Sequence, residues 1–270
     1  MNSIINFFIS SYIYVSLCVV SLALATQYLL LSFNIQVLCF LFFATFISYN
    51  FQRLASIYKN PEHSRNQWYI QNRLIISALF FLSVIIFFGL IYSFSVQSIF
   101  LVLGLSLLSL LYSVKLRDIP YLKIYLIAAS WCFSTILLTV LENKLTVDLE
   151  IILSIIGRFF FLVAITIPFD IRDLNFDKKR LKTLPILFGA ERSKKIALIM
   201  LLLFLILEFF HYVVFSWEIN FFLASLLCFG YTYYLIKKSG MDRNRFYYSF
   251  WVESCSISLV VFLIITAIFL

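Results

Sequence analysis

Apolar stretches of about twenty residues follow one another from end to end of this chain, separated by short connections that carry nearly all the charge. A stretch of that length matches the hydrocarbon thickness of a bilayer when wound as an α-helix. Only helices satisfy every backbone polar group within a single segment in lipid, so the repeated pattern admits one fold class. The expected architecture is an all-α polytopic membrane bundle of about nine transmembrane helices forming a single domain over 1–270. Spans are expected near 8–28, 33–53, 74–93, 97–114, 121–141, 150–169, 194–214, 217–236 and 247–269.

Composition closes the alternative of a soluble fold. Hydrophobic residues make up 63% of the chain and charged residues 13%, against roughly 25% charged in soluble domains. A soluble chain this apolar could not cover its surface with polar groups. The net charge of +8 would suggest nucleic acid in a soluble protein. Here the basic residues flank apolar spans, so they read as topology signals, and nucleic acid is not an expected partner. All but Lys144 and Arg158 of the 21 lysines and arginines fall in the loops after even-numbered spans: 53–73, 115–123, 172–195 and 237–245. The positive-inside rule puts those loops in the cytoplasm, with the N-terminus inside and the C-terminus outside. The expected setting is a bacterial inner membrane. No basic n-region precedes the first span, so no cleaved signal peptide is expected. The five cysteines sit singly inside apolar stretches and read as small buried hydrophobes. One face is thus elaborated and the other plain, which puts any chemistry on the cytoplasmic side.

The densest polar segment begins where the sixth span ends: Pro168-Phe-Asp170-Ile-Arg172-Asp173-Leu-Asn175-Phe-Asp177-Lys-Lys-Arg180. Asp170, Asp173 and Asp177 stand at i, i+3 and i+7 and share a helix face, spread over about 10 Å of axis. Carboxylates so arranged suit Mg2+, which takes one or two of them together with substrate phosphates. Arg172, Lys182 and their basic neighbours could contact an anionic headgroup. A solvated loop helix with local ion pairs is the plainer reading of the same charges, although three carboxylates on one face repel one another without a cation.

Asp170-Ile-Arg-Asp173-x-x-x-Asp177, followed by Lys182-Thr183-Leu184-Pro185-Ile-Leu-x-Gly189, resembles the second aspartate motif of the UbiA superfamily of intramembrane prenyltransferases. Tyr112-Ser113-x-Lys115-x-Arg117-x-Ile119-Pro120-x-Leu122-Lys123 is similar to that family's stretch after the fourth helix. The resemblance implies a nine-helix bundle that moves an isoprenyl group from a diphosphate to an acceptor. It implies Mg2+ on Asp170, Asp173 and Asp177, which would be the catalytic and metal residues. It also implies an isoprenyl diphosphate and membrane lipid as partners, with Lys115, Arg117 and Lys123 steadying the diphosphate. Departing charge would be stabilised electrostatically.

The first aspartate motif of that family is expected at the end of the second span. Ser48-Tyr49-Asn50-Phe51-Gln52-Arg53 stands there instead, and no acidic residue precedes Glu62. In register, Asn50 falls on Asp170 and Arg53 on Asp173. Either Arg53 sets a fixed cation against the diphosphate, as its fork suits phosphate, or Arg53 pairs with the aspartates and locks them. The first describes a divergent transferase, with Asn50, Arg53 and Tyr112 among its substrate-binding residues. The second describes a non-catalytic relative that binds lipid or a partner protein. Arg158 and Glu253 lie inside spans, where charge is costly and faces a partner or cavity. Glu208 and His211, one turn apart near the outer end of a span, read as hydrated. Most of the 32 phenylalanines and 16 tyrosines read as packing and lipid-facing residues.

Overall fold

The computed structural model of the protein describes residues 3–59, 64–114, 122–177 and 183–269. Helices α1 (Ser3–Ser10), α2 (Ile13–Leu29), α3 (Ile35–Lys59), α4 (Ser64–Gln71), α5 (Arg73–Ile91) and α6 (Val96–Val114) form the first half. Then come α7 (Leu122–Cys132), continued through a π-helical turn (Phe133–Leu137) into α8 (Leu138–Glu142), and the long α9 (Leu149–Asp177). The second half closes with α10 (Leu184–Phe188), α11 (Ala190–Val214), α12 (Ile219–Lys238), a second π-helical turn (Tyr247–Val252) and α13 (Cys255–Phe269). No strand occurs among the described residues.

By length and apolarity, six helices among the described residues can cross a membrane, and the pair Ile4–Ser10 and Ile13–Leu29, bent by 70°, makes a seventh. Val96–Leu111 and Cys255–Phe269 are shorter apolar helices that lie where the sequence places its fourth and ninth spans. The membrane class and the helical bundle are therefore as expected from the apolar periodicity.

Local signals set the helix ends. Asn34 Oδ1 accepts from the backbone N–H groups of Gln36 and Val37 at 3.1 and 3.3 Å and so caps α3. Asp148 Oδ1 accepts from the Ile151 N–H at 2.9 Å and caps α9. Such caps each contribute about 1 kcal/mol. Gly189, at φ 80°, sits between α10 and α11 in a conformation that costs glycine nothing. Pro185 occupies the first turn of α10, where its missing N–H would lack a partner anyway. The Thr183-to-Gly189 part of the motif thus encodes a tight connection that turns the chain from α9 into α11.

Two apolar cores share one helix. Leu22 and Ala25 of α2 pack into a cluster with Ile124 and Ala128 of α7, Phe161 and Ile167 of α9, Leu201 of α11, Cys228 of α12 and Cys255 of α13. Val19 and Ala23 of the same α2 pack into a second cluster with Val37, Phe40 and Leu41 of α3, Phe94, Val102 of α6 and Leu138 of α8. Small residues let α2 take this central place: Ser16, Cys18, Ala23 and Ala25 are all sealed, and close backbone approach is what holds helices together in lipid. Helix α5, by contrast, buries only Ile76 and Ser83. Its Leu74, Phe81, Ile85 and Phe88 point outward, as lipid permits.

Arg158, deep in α9, ties the first core together. Its guanidinium donates to the Leu22 carbonyl at 2.9 Å and to the hydroxyls of Thr26 and Thr135 at 3.3 and 3.5 Å. It therefore joins α9 to α2 and to the first π-turn. Glu253 is not its partner; Glu208 of α11 is the carboxylate that interacts with it electrostatically. Glu208 and His211, read as hydrated from sequence, are buried. His211 is stacked on Trp217 at 4.1 Å, and its Nε2 lies 3.3 Å from the Glu150 carbonyl.

Candidate functional site: a cation-lined chamber

Four helix termini converge at the end of the bundle where the basic loops connect. They are the C-terminal parts of α3 and α9, the start of α7, and the residues entering the second π-turn. Between them and the bent α1–α2 pair lies a cavity of about 520 Å³. Its polar wall carries Arg53 of α3, Lys123 of α7, Arg172 and Asp173 of α9, and Arg245 and Glu253 from either side of the π-turn. Its deeper wall is apolar, formed by Val15, Ile127, Trp131, Leu162 and Ile165. A second chamber of about 440 Å³, mostly apolar with a few hydroxyls and Gln52 in its wall, lies among α3, α5, α6 and α7, and shares Tyr49, Ile127 and Trp131 with the first. Both π-turns adjoin the first cavity, one just past Trp131 and the other carrying Ser249. Such turns re-aim side chains within a helix and recur at functional sites.

The structure separates the aspartates that the sequence places on one helix face. Helix α9 runs through Asp177, past the expected end of the sixth span near 169 and into the segment expected as a loop. Asp170, however, is 1% exposed and accepts a 2.6 Å bond from Lys123 Nζ; it is not part of the cavity wall. Asp173, 31% exposed, is gripped by its neighbour Arg172 through both carboxylate oxygens, at 2.7 and 2.6 Å. The Arg172 guanidinium also lies over the rings of Phe169 and Tyr248, at 5.3 and 5.5 Å. The side chains of Tyr112 and Asp177, and the residues Lys115, Arg117 and Lys182, lie outside the described residues.

Asn50 and Arg53 take different roles. Asn50 is fully buried, and its amide donates to the Ser11 and Phe46 carbonyls at 3.2 and 2.8 Å. It ties α3 to the α1–α2 bend and does not line the cavity. Arg53 does. Its guanidinium donates to the Tyr12 hydroxyl and, at 3.3 Å, to Asn66 Oδ1 of α4, and it stands 5.3 Å from the centre of the Tyr12 ring. Tyr12 makes the break between α1 and α2 in a left-handed conformation, φ 68°. Such a conformation is uncommon for a non-glycine residue, and here it lies in the cavity wall.

Arg245, Tyr12 and Trp68 were not singled out in the sequence. Arg245 counts there only as one more basic loop residue, and nothing in its neighbours separates it from Arg243. In the structure it is pushed below the ordinary arginine range by burial, then by the nearby Arg172 and Arg53. Three guanidiniums thus share one confined space. Tyr69, next to Trp68 on α4, is pushed up from 10.0 to about 12 by burial and by the neighbouring Tyr12, with Arg53 opposing.

Magnesium fits this donor set poorly. One Asp170 oxygen is held by Lys123 and both Asp173 oxygens by Arg172. No group of three histidine, cysteine or acidic side chains is gathered for a cation among the described residues. Divalent magnesium needs near-octahedral oxygen ligation, and of the α3 positions aligned with the aspartates Arg53 brings a guanidinium to the cavity while Asn50 turns its amide to backbone carbonyls.

The described residues thus form a helical membrane bundle with a polar chamber at one end that opens onto apolar walls. The chain belongs to the UbiA prenyltransferase family, whose model matches residues 70–254. A UbiA homolog from Archaeoglobus fulgidus bound to GPP and Mg2+ superposes with a TM-score of 0.69 at 14% identity, over 97% of this chain and 99% of that one. The apo UbiA homolog from Aeropyrum pernix K1 gives 0.66 at 12%, over 96% and 97%. A structure from work on digeranylgeranylglyceryl phosphate synthase in membranes gives 0.62 at 17%, covering all of both chains. At these identities the likeness is one of fold. No curated protein matches the chain significantly by sequence.

Proposed function

We propose that the protein binds an isoprenyl diphosphate in the first chamber and transfers its isoprenyl group to an acceptor within the membrane. The observation that carries this reading is the meeting of Arg53, Lys123, Arg172 and Arg245 at one end of a cavity whose remaining wall is apolar. An isoprenyl diphosphate has the same division, an anionic head on a hydrocarbon chain. The adjoining apolar chamber behind Tyr49, Ile127 and Trp131 gives a long chain somewhere to extend. Family membership supports the reaction class, and the Archaeoglobus homolog bound to GPP and Mg2+ supports the donor class.

In the reaction, the allylic C–O bond breaks and its electron pair leaves on the diphosphate. The acceptor nucleophile bonds to the allylic carbon and gives up its proton. The guanidiniums stabilise the leaving charge where it develops, in a confined site where each contact counts for more than in water. Aromatic residues at the wall, Tyr49, Trp131 and Phe169, can shield the carbocation through their faces. With the basic-loop end placed in the cytoplasm, the diphosphate enters from that side.

One observation favours a second reading, a non-catalytic relative that holds prenyl lipid. Asp170 and Asp173 are both engaged by cations and Asn50 is spent on backbone carbonyls. Pyrophosphate release by the purified protein in lipid, from a pool of prenyl diphosphates, separates the two. Release that falls at least tenfold, about 1.4 kcal/mol of barrier, in Asp173→Asn supports transfer, because Arg172 then loses the carboxylate that aims it. Binding of prenyl diphosphate without release from any donor overturns transfer and leaves the binding protein.

A further inference from the structure

Among the described residues, side-chain charge in the chamber has the wrong sign for holding metal and the right sign for holding phosphate. A site that uses a divalent cation presents carboxylates to it, and the cation then meets the phosphate. Among the described residues that line this cavity, four cations face two carboxylates, Asp173 and Glu253. Asp173 is already bound to Arg172. The positions of α3 that align with Asp170 and Asp173 present an amide turned to the backbone and a guanidinium turned to the cavity.

Each cation comes from a different element and is held from a different side. Arg53 is oriented by Tyr12 and Asn66, Arg172 by Asp173 and two aromatic rings, and Lys123 by Asp170. Arg245 stands close enough to Arg172 and Arg53 for their charge to oppose its own. Like charges brought together in a confined space raise the energy of the empty site, and an anion that bridges them relieves it. A guanidinium engages phosphate through two parallel donors, which fixes geometry as well as charge.

We infer that this protein holds the diphosphate of its ligand directly, by Arg53, Arg172, Arg245 and Lys123, and that this binding does not require magnesium. The inference rests on the prenyl diphosphate reading above and adds that the cationic side chains supply the positive charge a metal would otherwise bring. Arg53 and Arg245 are then binding residues, and Tyr12 positions Arg53.

The test is equilibrium binding of geranyl diphosphate to the full chain in phosphatidylcholine nanodiscs, in excess EDTA and again with magnesium. The expected Kd is the same in both within about threefold, and inorganic pyrophosphate competes in EDTA. Arg245→Gln and Arg53→Gln are each expected to weaken binding in EDTA by about tenfold, and the lysine variants by less, since lysine keeps the charge without the fork. Tyr12→Phe should weaken it by a smaller factor through Arg53 alone, so that it has no further effect in an Arg53→Gln background. A Kd that appears only with magnesium overturns the direct contact while leaving the prenyl diphosphate reading in place. No binding in either buffer overturns both. If one arginine variant fails to fold, as seen by size exclusion, the other carries the same comparison.

Discussion

Lys123 Nζ stands 2.6 Å from Asp170 Oδ1, and the carboxylate it meets is sealed to 1% exposure while the lysine, 22% exposed, lines the chamber. The pair crosses from the start of α7 to the end of α9. It explains how a chain in this family can carry the aspartate that its motif calls for and yet use it inside the wall. Lys123 shows its charge to the cavity; Asp170 holds the lysine there.

Removing the lysine leaves a buried carboxylate uncompensated, which costs more than the pair itself contributes. Lys123→Met should lower stability by about 3 kcal/mol, read as a fall in the midpoint of a detergent thermal scan. The double variant Lys123→Met with Asp170→Leu should recover most of that loss. If the double variant is as unstable as the single one, the pair is not what makes Asp170 tolerable.

Arg158 lies deeper in the bundle. It is the side chain that joins α9 to α2 and to the first π-turn. Arg158→Met should cost several kcal/mol because it removes the buried hydrogen bonds to the Leu22 carbonyl and to the Thr26 and Thr135 hydroxyls that tie three elements together. Equal thermal midpoints for Arg158→Met and the wild type would mean that the network holds nothing together.

Alkaline stability should carry the signature of Tyr69. Its phenol is pushed up to about 12 in the folded protein, first by burial. A raised folded value means that the neutral form is preferred in the fold. Its stabilisation is present below the ordinary 10.0 and is lost as pH climbs towards about 12 by proton linkage. Thermal midpoints measured across that window should fall more gently in Tyr69→Phe than in the wild type. Identical slopes would remove Tyr69 from the alkaline transition.

The chamber's own charges were only partly legible. Arg53 stood out because it occupies a position where the family motif calls for an acid. Arg172 and Asp173 stood out because they lie in the densest polar segment. Arg245 did not, since one arginine among several in a basic loop carries no mark until its neighbours from α3 and α9 are known. Tyr12 is a tyrosine in an apolar run, and its left-handed break between α1 and α2 is a property of how those helices pack.

The sequence by itself determined the solvent and the class of structure. Runs of apolar residues long enough to cross lipid leave the backbone no choice but helix, and basic loops on alternate connections fix which ends meet. It also showed that Asp170, Asp173 and Asp177 would share one face of a helix, while their place in a basic loop left open whether that helix forms; α9 does run to Asp177. Only the tertiary structure decided which charges face the chamber. Asp170 and Asp173 share a helix face, but Lys123 and Arg172 draw them into different partnerships, and burial separates them further. The Lys123–Asp170 partnership is made across helices, over a distance in sequence that no local pattern encodes, so the mainly cationic lining among the described residues is a result of packing.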